Sequence, residues 1–295
     1  MLDCDDLAAQ IIGHAPGDGV FDTPLARVFL IRSSALTEPV QTLYEPSFCL
    51  VAQGRKHATI GNTALSYDRS SFLVVGMDLP LIGAVVEAEP DAPYLCMQLV
   101  LDRAVLADLI AGQLGCTEAR ENAALGTSVA TPELIDAATR LLRLIDAPDD
   151  APVLAPLIER EILHRLLTGP RGAILRQIGN GESRLSQIHR AVSYIRQSYA
   201  DAFTVEDLAD IAGMSASTFH ERFRAITSMS PLQFRNLIRL QEARRLMVME
   251  GLTAAEAGFK VGYESPSQFS RDFVRVHKVS PRKHVEALRA SGAVA

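Results

Sequence analysis

The sequence predicts an α+β protein of two domains, a strand-rich N-terminal domain with a helical subdomain followed by an all-helical C-terminal domain. Three observations carry this. Short apolar runs punctuated by Gly and Pro fill the first hundred residues, helical periodicity takes over from Asp102, and a pattern repeated at an offset near 50 residues occupies the end of the chain. A length of 295 residues suits two domains, and 48% hydrophobic with 22% charged residues is a globular composition.

The strand signals come first. Ala58-Thr59-Ile60, Gly61-Asn62 and Thr63-Ala64-Leu65-Ser66-Tyr67 read as a hairpin across a two-residue turn. Val28–Ile31, Cys49–Gln53, Phe72–Val75, Ile82–Val86 and Tyr94–Leu101 are the other candidates, and so many short strands favour a sandwich or small barrel. After Asp102, Leu106, Leu109 and Ile110 fit a short helix ending near Gly112 and Gly115. Thr131-Pro132 offers a cap and an N1 proline to a helix carrying Leu134, Ile135, Ala138, Leu141, Leu142 and Ile145. A further helix carries Leu154, Leu157, Ile158, Ile162 and Leu166, and the apolar stripes of this pair are candidates for a homodimer interface. Gly169-Pro170-Arg171-Gly172 and Gly179-Asn180-Gly181 break the pattern, which predicts domains over 1–170 and 184–290 joined by a linker at 171–183.

Charge follows the same division. Residues before Arg184 hold 13 basic and 24 acidic side chains, whereas Arg184 to Ala295 holds 16 basic and 11 acidic. A basic segment in a chain of net charge −6 points to a polyanionic partner. No apolar run reaches the roughly 18–20 residues of a membrane helix, and Met1-Leu2-Asp3-Cys4-Asp5-Asp6 is acidic where a signal peptide would be basic. The expectation is a cytoplasmic protein with no membrane partner.

The repeat lies in the basic part. Thr204 and Thr253 each stand three residues before an acid, Asp207 and Glu256, as helix N-caps do. Gly213 and Gly262 follow where a short helix must stop, then the pairs Phe219/Phe223 and Phe269/Phe273, then Ser230-Pro231 and Ser280-Pro281. Each copy reads as helix, glycine turn, second helix: a helix-turn-helix unit. Between the copies, a helix from Pro231 to about Met249 has nineteen residues, about 28 Å at 1.5 Å per residue. Successive major grooves on one face of DNA lie about 34 Å apart, so one chain can address two of them.

Arg184 to about Arg289 resembles the DNA-binding domain of AraC-type (AraC/XylS) transcriptional regulators. The resemblance rests on Asp207-Leu208-Ala209-Asp210-Ile211-Ala212-Gly213-Met214-Ser215, Ser230-Pro231-Leu232-Gln233-Phe234, Arg239-Leu240-Gln241-Glu242-Ala243-Arg244-Arg245-Leu246 and Gly258-Phe259-Lys260-Val261-Gly262-Tyr263 through Arg271. Pro46 to Lys56, Asp78-Leu79-Pro80 and Ala92-Pro93-Tyr94-Leu95 resemble the N-terminal domain of a subgroup of that family. The resemblance implies a cupin-like β-barrel with a helical subdomain that senses a small molecule or mediates dimerisation. Lys278 departs from the family's usual glycine before the hydrophobic-Ser-Pro turn, which puts the local turn in doubt.

With Phe219/Phe223 and Phe269/Phe273 inward, the opposite faces display Ser217, Thr218, His220 and Glu221 in the first copy and Ser267, Gln268, Ser270 and Arg271 in the second. These are base-reading side-chain types, Arg for guanine and Gln for adenine, and the resemblance places base contacts at the same positions. Arg224, Arg275, Arg282 and Lys283 are candidates for phosphate contacts. Tyr44, Met77, Tyr94 and Met97 are candidate ligand-lining residues of the barrel, for an uncharged or weakly polar molecule. The expected partners are double-stranded promoter DNA, a small-molecule effector, RNA polymerase and a second copy of the chain.

Enzymatic readings find little support. Of seven histidines only His14 and His57 lie in the strand-rich part, and no H-x-H pair precedes a nearby glutamate. No G-x-S-x-G elbow or phosphate-binding glycine loop occurs, and Cys4, Cys49, Cys96 and Cys116 form no C-x-x-C pair. No catalytic residue, metal or cofactor is expected. Two other readings stay open: a small-molecule binding module whose helical tail contacts protein, and a cupin-type metal enzyme. Salt-dependent DNA affinity separates the first, and metal analysis the second.

Overall fold

The computed structural model describes residues 4–112, 124–179 and 184–290. The chain divides into two compact units, the first of residues 1–39, 44–79 and 83–186, the second of 187–295 with the short segments 40–43 and 80–82. The N-terminal part of the chain runs through α1 (Cys4–His14), β1 (Gly19–Asp22), β2 (Val28–Ser33), β3 (Val40–Tyr44), β4 (Ser47–Gln53), β5 (Arg55–Ile60), β6 (Thr63–Asp68), β7 (Ser71–Val75), β8 (Leu79–Glu87) and β9 (Tyr94–Val100). It continues with α2 (Arg103–Ala111), β10 (Leu125–Val129), α3 (Pro132–Arg143), α4 (Ala151–Thr168) and α5 (Gly172–Gly179).

The strands form two sheets, ordered β1-β2-β9-β4-β7-β10 and β3-β8-β5-β6. The expected barrel is therefore not closed by a continuous ladder; each sheet keeps its own edges. The hairpin is as the turn residues require, with Ile60 opposite Thr63 and Gly61 at φ 54°. Strand structure does not stop at Asp102, because β10 returns to pair with β7, Leu125 opposite Val75. Four elements, α1, β1, β3 and β10, carry no strong sequence signal. β3, for example, has no fully buried residue and so lacks the alternation that marks a half-buried strand.

Period-two alternation gives the six-stranded sheet two different faces. Phe48, Leu50, Ala52, Leu95, Met97 and Leu99 pack into one apolar cluster with Leu7 and Ile11 of α1, Leu134 and Leu141 of α3, and Ile162 and Leu166 of α4. Cys49 and Cys96 point the other way, towards Lys56 and Tyr67 of the second sheet. Met97 is thus separated from the other candidate ligand residues: it sits under the helices. Met77 and Tyr94 are fully buried and Tyr44 half-buried.

The helices also revise two expectations. The stripe of α3 faces its own sheet, with Leu134, Ile135, Ala138, Leu141 and Leu142 all in the core. Of this helix pair, the start of α4 leaves apolar side chains in solvent, Val153 at 66% and Leu157 at 59% exposure. The span expected as linker, 171–183, contains α5, whose Ile174, Leu175 and Ile178 enter the same core. Residues 180–183 of that span, and Gly115 and Cys116, lie outside the described residues.

Seven helices follow: α6 (Arg184–Gln197), α7 (Val205–Ala212), α8 (Ala216–Thr227), α9 (Pro231–Met249), α10 (Ala254–Lys260), α11 (Pro266–His277) and α12 (Pro281–Ala290). No strand occurs among the described residues of this part. Thr204 with Asp207 and Thr253 with Glu256 form reciprocal capping boxes, as does Ser230 with Gln233 at the start of α9. Gly213 and Gly262 have φ of 68° and 90°. The turn at Lys278 keeps the left-handed form: Lys278 adopts φ 61°, matching Ser228 at φ 57° in the first copy. Its ammonium donates to the Arg275 carbonyl at 3.0 Å, within the turn it closes. A Cβ in this region costs about 1–2 kcal/mol. Lys278→Gly is therefore expected to raise the denaturation midpoint by the equivalent of about 0.5–1 kcal/mol, after the greater entropy of the unfolded glycine chain. An unchanged or lowered midpoint would show the turn to be unstrained.

Candidate nucleic-acid interface

The two helix-turn-helix copies are built on paired aromatic rows. Phe219 and Phe223 of α8 are fully buried and stack at 5.4 Å between ring centres, with Phe234 of α9 edge-on to Phe223 at 5.6 Å. Phe269 and Phe273 of α11 repeat the pair at 5.6 Å, with Tyr263 edge-on to Phe269. Burying every fourth residue turns the opposite face of each helix outward.

In the first copy Ser217, His220, Glu221 and Arg224 are exposed and, with Ala225, line a shallow open depression. Thr218 is half-buried, and its Oγ1 accepts a hydrogen bond from Ser215 Oγ at 2.9 Å, so it belongs to the cap of α8 as much as to the face. In the second copy Ser267, Gln268 and Arg271 are exposed and Ser270 is half-buried. Among the phosphate candidates, Arg275 pairs with Asp272 at 3.0 Å and Arg282 with Glu286 at 2.8 Å, both on their own helices. Lys283 is exposed.

Arg239, quoted above only as part of a motif, proves to be a structural tie. It is buried at 8% exposure on α9. Its guanidinium donates to the carbonyls of Tyr199 at 2.6 Å, Gly262 at 2.7 Å and Ala200 at 3.2 Å, and lies 5.8 Å from the centre of the Tyr263 ring. The turn of the second copy is thus bound to the end of α6 through the connecting helix. Gly262 is required there twice over: its φ is positive, and a Cβ would meet the Ala200 carbonyl oxygen at 2.5 Å.

Behind α11, the rings of His277 and His284 lie tilted to each other with centres 4.7 Å apart, and the Phe273 ring centre is 4.3 Å from that of His277. Burial holds His277 down at about 4, aided by His284 and by Arg244 of α9, and burial with Arg244 also lowers His284. Both imidazoles are neutral in the fold, and protonation is easier once it opens. Their contribution to stability is complete above the ordinary histidine pKa of about 6.5 and is lost as pH falls towards 4. Thermal melts between pH 7.5 and 4.5 should show this loss, and His277→Phe should flatten it; an equal slope in the variant would exclude His277 as the cause.

Among the described residues no group of three or more His, Cys, Asp and Glu side chains is placed to hold a metal ion, and no helix is long and apolar enough to cross a membrane.

Comparison with known proteins agrees with both units. The family model for the AraC-type transcriptional regulator N-terminus matches residues 24–174, and a helix-turn-helix domain model matches 208–287. The RCS-specific HTH-type transcriptional activator RclR of Escherichia coli is 38% identical over 88 residues, covering 30% of this chain and 31% of RclR. A putative AraC-like transcription regulator of Streptomyces lividans is 36% identical over 97 residues, 32% of each chain. The HTH-type transcriptional activator RhaS of an Enterobacter species is 25% identical over 113 residues, 38% of this chain and 40% of RhaS. These matches span about a third to two fifths of the relatives' length. Among solved structures, an apo form of ToxT from Vibrio cholerae superposes with a TM-score of 0.64 at 10% identity, covering 90% of this chain and 98% of ToxT. ToxT with an unsaturated fatty acid bound gives 0.59 at 11%, covering 88% and 93%. The likeness to ToxT is one of fold. With the N-terminal model covering half of its length and a helix-turn-helix model following it, the chain belongs to the family of AraC-type transcriptional regulators.

Proposed function

We propose that this protein is a sequence-specific DNA-binding regulator of transcription whose two helix-turn-helix copies enter successive major grooves, and whose N-terminal unit responds to a small molecule and pairs with a second copy. The observation that carries the reading is the pair of exposed polar faces, Ser217/His220/Glu221 and Ser267/Gln268/Arg271, each backed by a buried phenylalanine pair. Because the two faces differ in sequence, the site read by one chain is asymmetric. Arg224, Arg275, Arg282 and Lys283 would lie on phosphates beside it. RNA polymerase, and the cytoplasm as the place of action, follow from that role rather than from a feature of the fold.

Titration of the full chain onto a selected duplex and a scrambled one, from 50 to 200 mM salt, tests the reading. Four phosphate contacts give a log–log slope of about −4 on both duplexes, with tighter binding to the selected one. A flat salt response would favour the helical part as a protein-contact module.

For self-association, the exposed apolar start of α4, Val153, Leu154 and Leu157, replaces the stripe of α3 as the candidate seam. Sedimentation of the full chain at tens of micromolar should give a dimer that Leu157→Glu dissociates. A monomeric wild-type chain would reject pairing.

A further inference from the structure

The interior between the two sheets of the first unit holds chemistry that DNA binding does not use. The β4–β9 register sets Cys49 opposite Gln98 and Val51 opposite Cys96, which makes the two cysteines diagonal neighbours on one face of the sheet. They are 3% and 1% exposed. Ser47, on the same face, brings its Oγ to 3.9 Å from Cys49 Sγ, and Cys96 Sγ lies 3.5 Å from the Met97 carbonyl oxygen. Lys56 reaches in from β5, its ammonium 5.4 Å from the centre of the Tyr44 ring and 6.0 Å from that of Tyr94.

Gly83 makes room for this approach, since a Cβ there would meet the Tyr44 hydroxyl at 2.6 Å and Lys56 Cε at 3.3 Å. The hydroxyl of Tyr94 is buried with no hydrogen-bond partner among the described residues.

The two thiols are not equivalent. The Cys49 thiol is held below its ordinary range chiefly by the neighbouring Cys96 side chain, against the opposing effect of burial, with Lys56 and Ser47 adding to the lowering. Cys96, beside Cys49 in a buried site, is pushed well up. Burial works against the charge on Lys56, but the Tyr44 oxygen and the two sulfurs outweigh it and hold the ammonium above its ordinary value, hence cationic. Cys49 is thus the more acidic of the two thiols and Cys96 the less acidic. This is the division of labour between an attacking and a resolving cysteine.

We propose that Cys49 and Cys96 form a covalent sensing site for a small uncharged two-electron oxidant of the hydroperoxide class, with Cys49 attacking and Cys96 resolving. The Cys49 thiolate attacks one peroxide oxygen and the O–O bond breaks. The other oxygen leaves as hydroxide or alkoxide and takes a proton from solvent to give water or an alcohol, and Cys49 becomes a sulfenic acid, oxidised by two electrons. Cys96 sulfur then displaces that hydroxyl, forming the S–S bond, and its proton leaves with the hydroxyl as a second water. Because both cysteines are buried, the oxidant that suits the pair is small and uncharged, as hydrogen peroxide is.

The bond also has a conformational consequence. Diagonal neighbours sit about 7–8 Å apart between Cα atoms, whereas a disulfide spans about 4.4–6.8 Å. Closing it draws β4 towards β9, next to the register shift between Val51 and Gln53 where β4 is already irregular.

The experiment uses the reduced full-length protein, a few equivalents of hydrogen peroxide, and peptide mapping by mass spectrometry without reductant. A cross-linked Cys49–Cys96 pair, reversed by dithiothreitol, is the expected product. In Cys96→Ala, dimedone added together with denaturant after the peroxide should capture the sulfenic acid on Cys49. Lys56→Met should slow Cys49 oxidation roughly tenfold at neutral pH and move its pH–rate midpoint upward. A wild-type Cys49 that stays reduced while Cys4 or Cys116 oxidises overturns the proposal. So does a cross-link from Cys49 to either of those residues, or an oxidised Cys49 with no cross-link. The wild-type mapping decides the matter even if a variant fails to fold, and it is independent of DNA binding.

Discussion

Replacing Arg239 by methionine is expected to destabilise the C-terminal unit by about 3 kcal/mol or more. Methionine conserves much of the side-chain volume but leaves the carbonyls of Tyr199, Ala200 and Gly262 without their donor, in a place where Arg239 is only 8% exposed. A buried acceptor stripped of its partner costs about 1–3 kcal/mol, and three are stripped at once. For a unit of roughly a hundred residues this corresponds to a fall in melting temperature of about 10–20 °C. Arg239→Lys should recover only a fraction, because an ammonium on a flexible stem cannot reproduce the fork that meets carbonyls on two segments. A variant that melts with the wild type would mean that water replaces the guanidinium, and that the second turn does not depend on this tie.

Arg271→Ala is expected to weaken binding to a selected site up to about a hundredfold while leaving a scrambled duplex little changed. Arg271 is exposed on α11, on the side away from the buried Phe269 and Phe273. A bidentate arginine–guanine contact contributes about 1–3 kcal/mol of base discrimination, so one base position should lose its preference. Lys283→Ala supplies the contrast. As a phosphate contact it should weaken both duplexes alike and reduce the salt slope by about one unit. Equal losses on both duplexes for Arg271→Ala would reassign it to positioning, and no loss on either would mean that the second copy does not dock.

Much of the C-terminal unit was legible in the sequence because its signals are local. Thr204 and Asp207, or Thr253 and Glu256, are three residues apart, and a capping box needs nothing more distant. The start and end of α9 at Pro231 and Met249 follow from the cap, the N1 proline and the loss of apolar periodicity. Lys278 shows the limit of such reading. Its residue type argues against a left-handed turn, yet Ser280-Pro281 and the Phe269/Phe273 pair demand the same connection as in the first copy, and the backbone accepts the strain.

The N-terminal unit was legible as a set of strands but not as an arrangement of faces. A strand such as β9 is buried on both sides over most of its length, so its alternation vanishes from the sequence. Met97 and Cys96 look alike in that run, and only the helices on one side and the second sheet on the other distinguish them. The stripe of α3 likewise did not say what would bury it, and the Gly and Pro residues on either side of α5 marked that short helix as a linker.

The sequence by itself determined what depends on neighbours within about four residues: the helix caps, the glycine turns, the duplicated units and the polar faces of α8 and α11. Tertiary structure alone decided what depends on residues far apart in the chain. It turned Arg239 inward to carbonyls some forty and twenty residues away, joined Cys49 to Cys96 and Lys56, and assigned the stripe of α3 to its own core. The physical reason is that a cap or an apolar stripe states which side is to be buried, whereas the partner that buries it is chosen by packing among all the faces that remain.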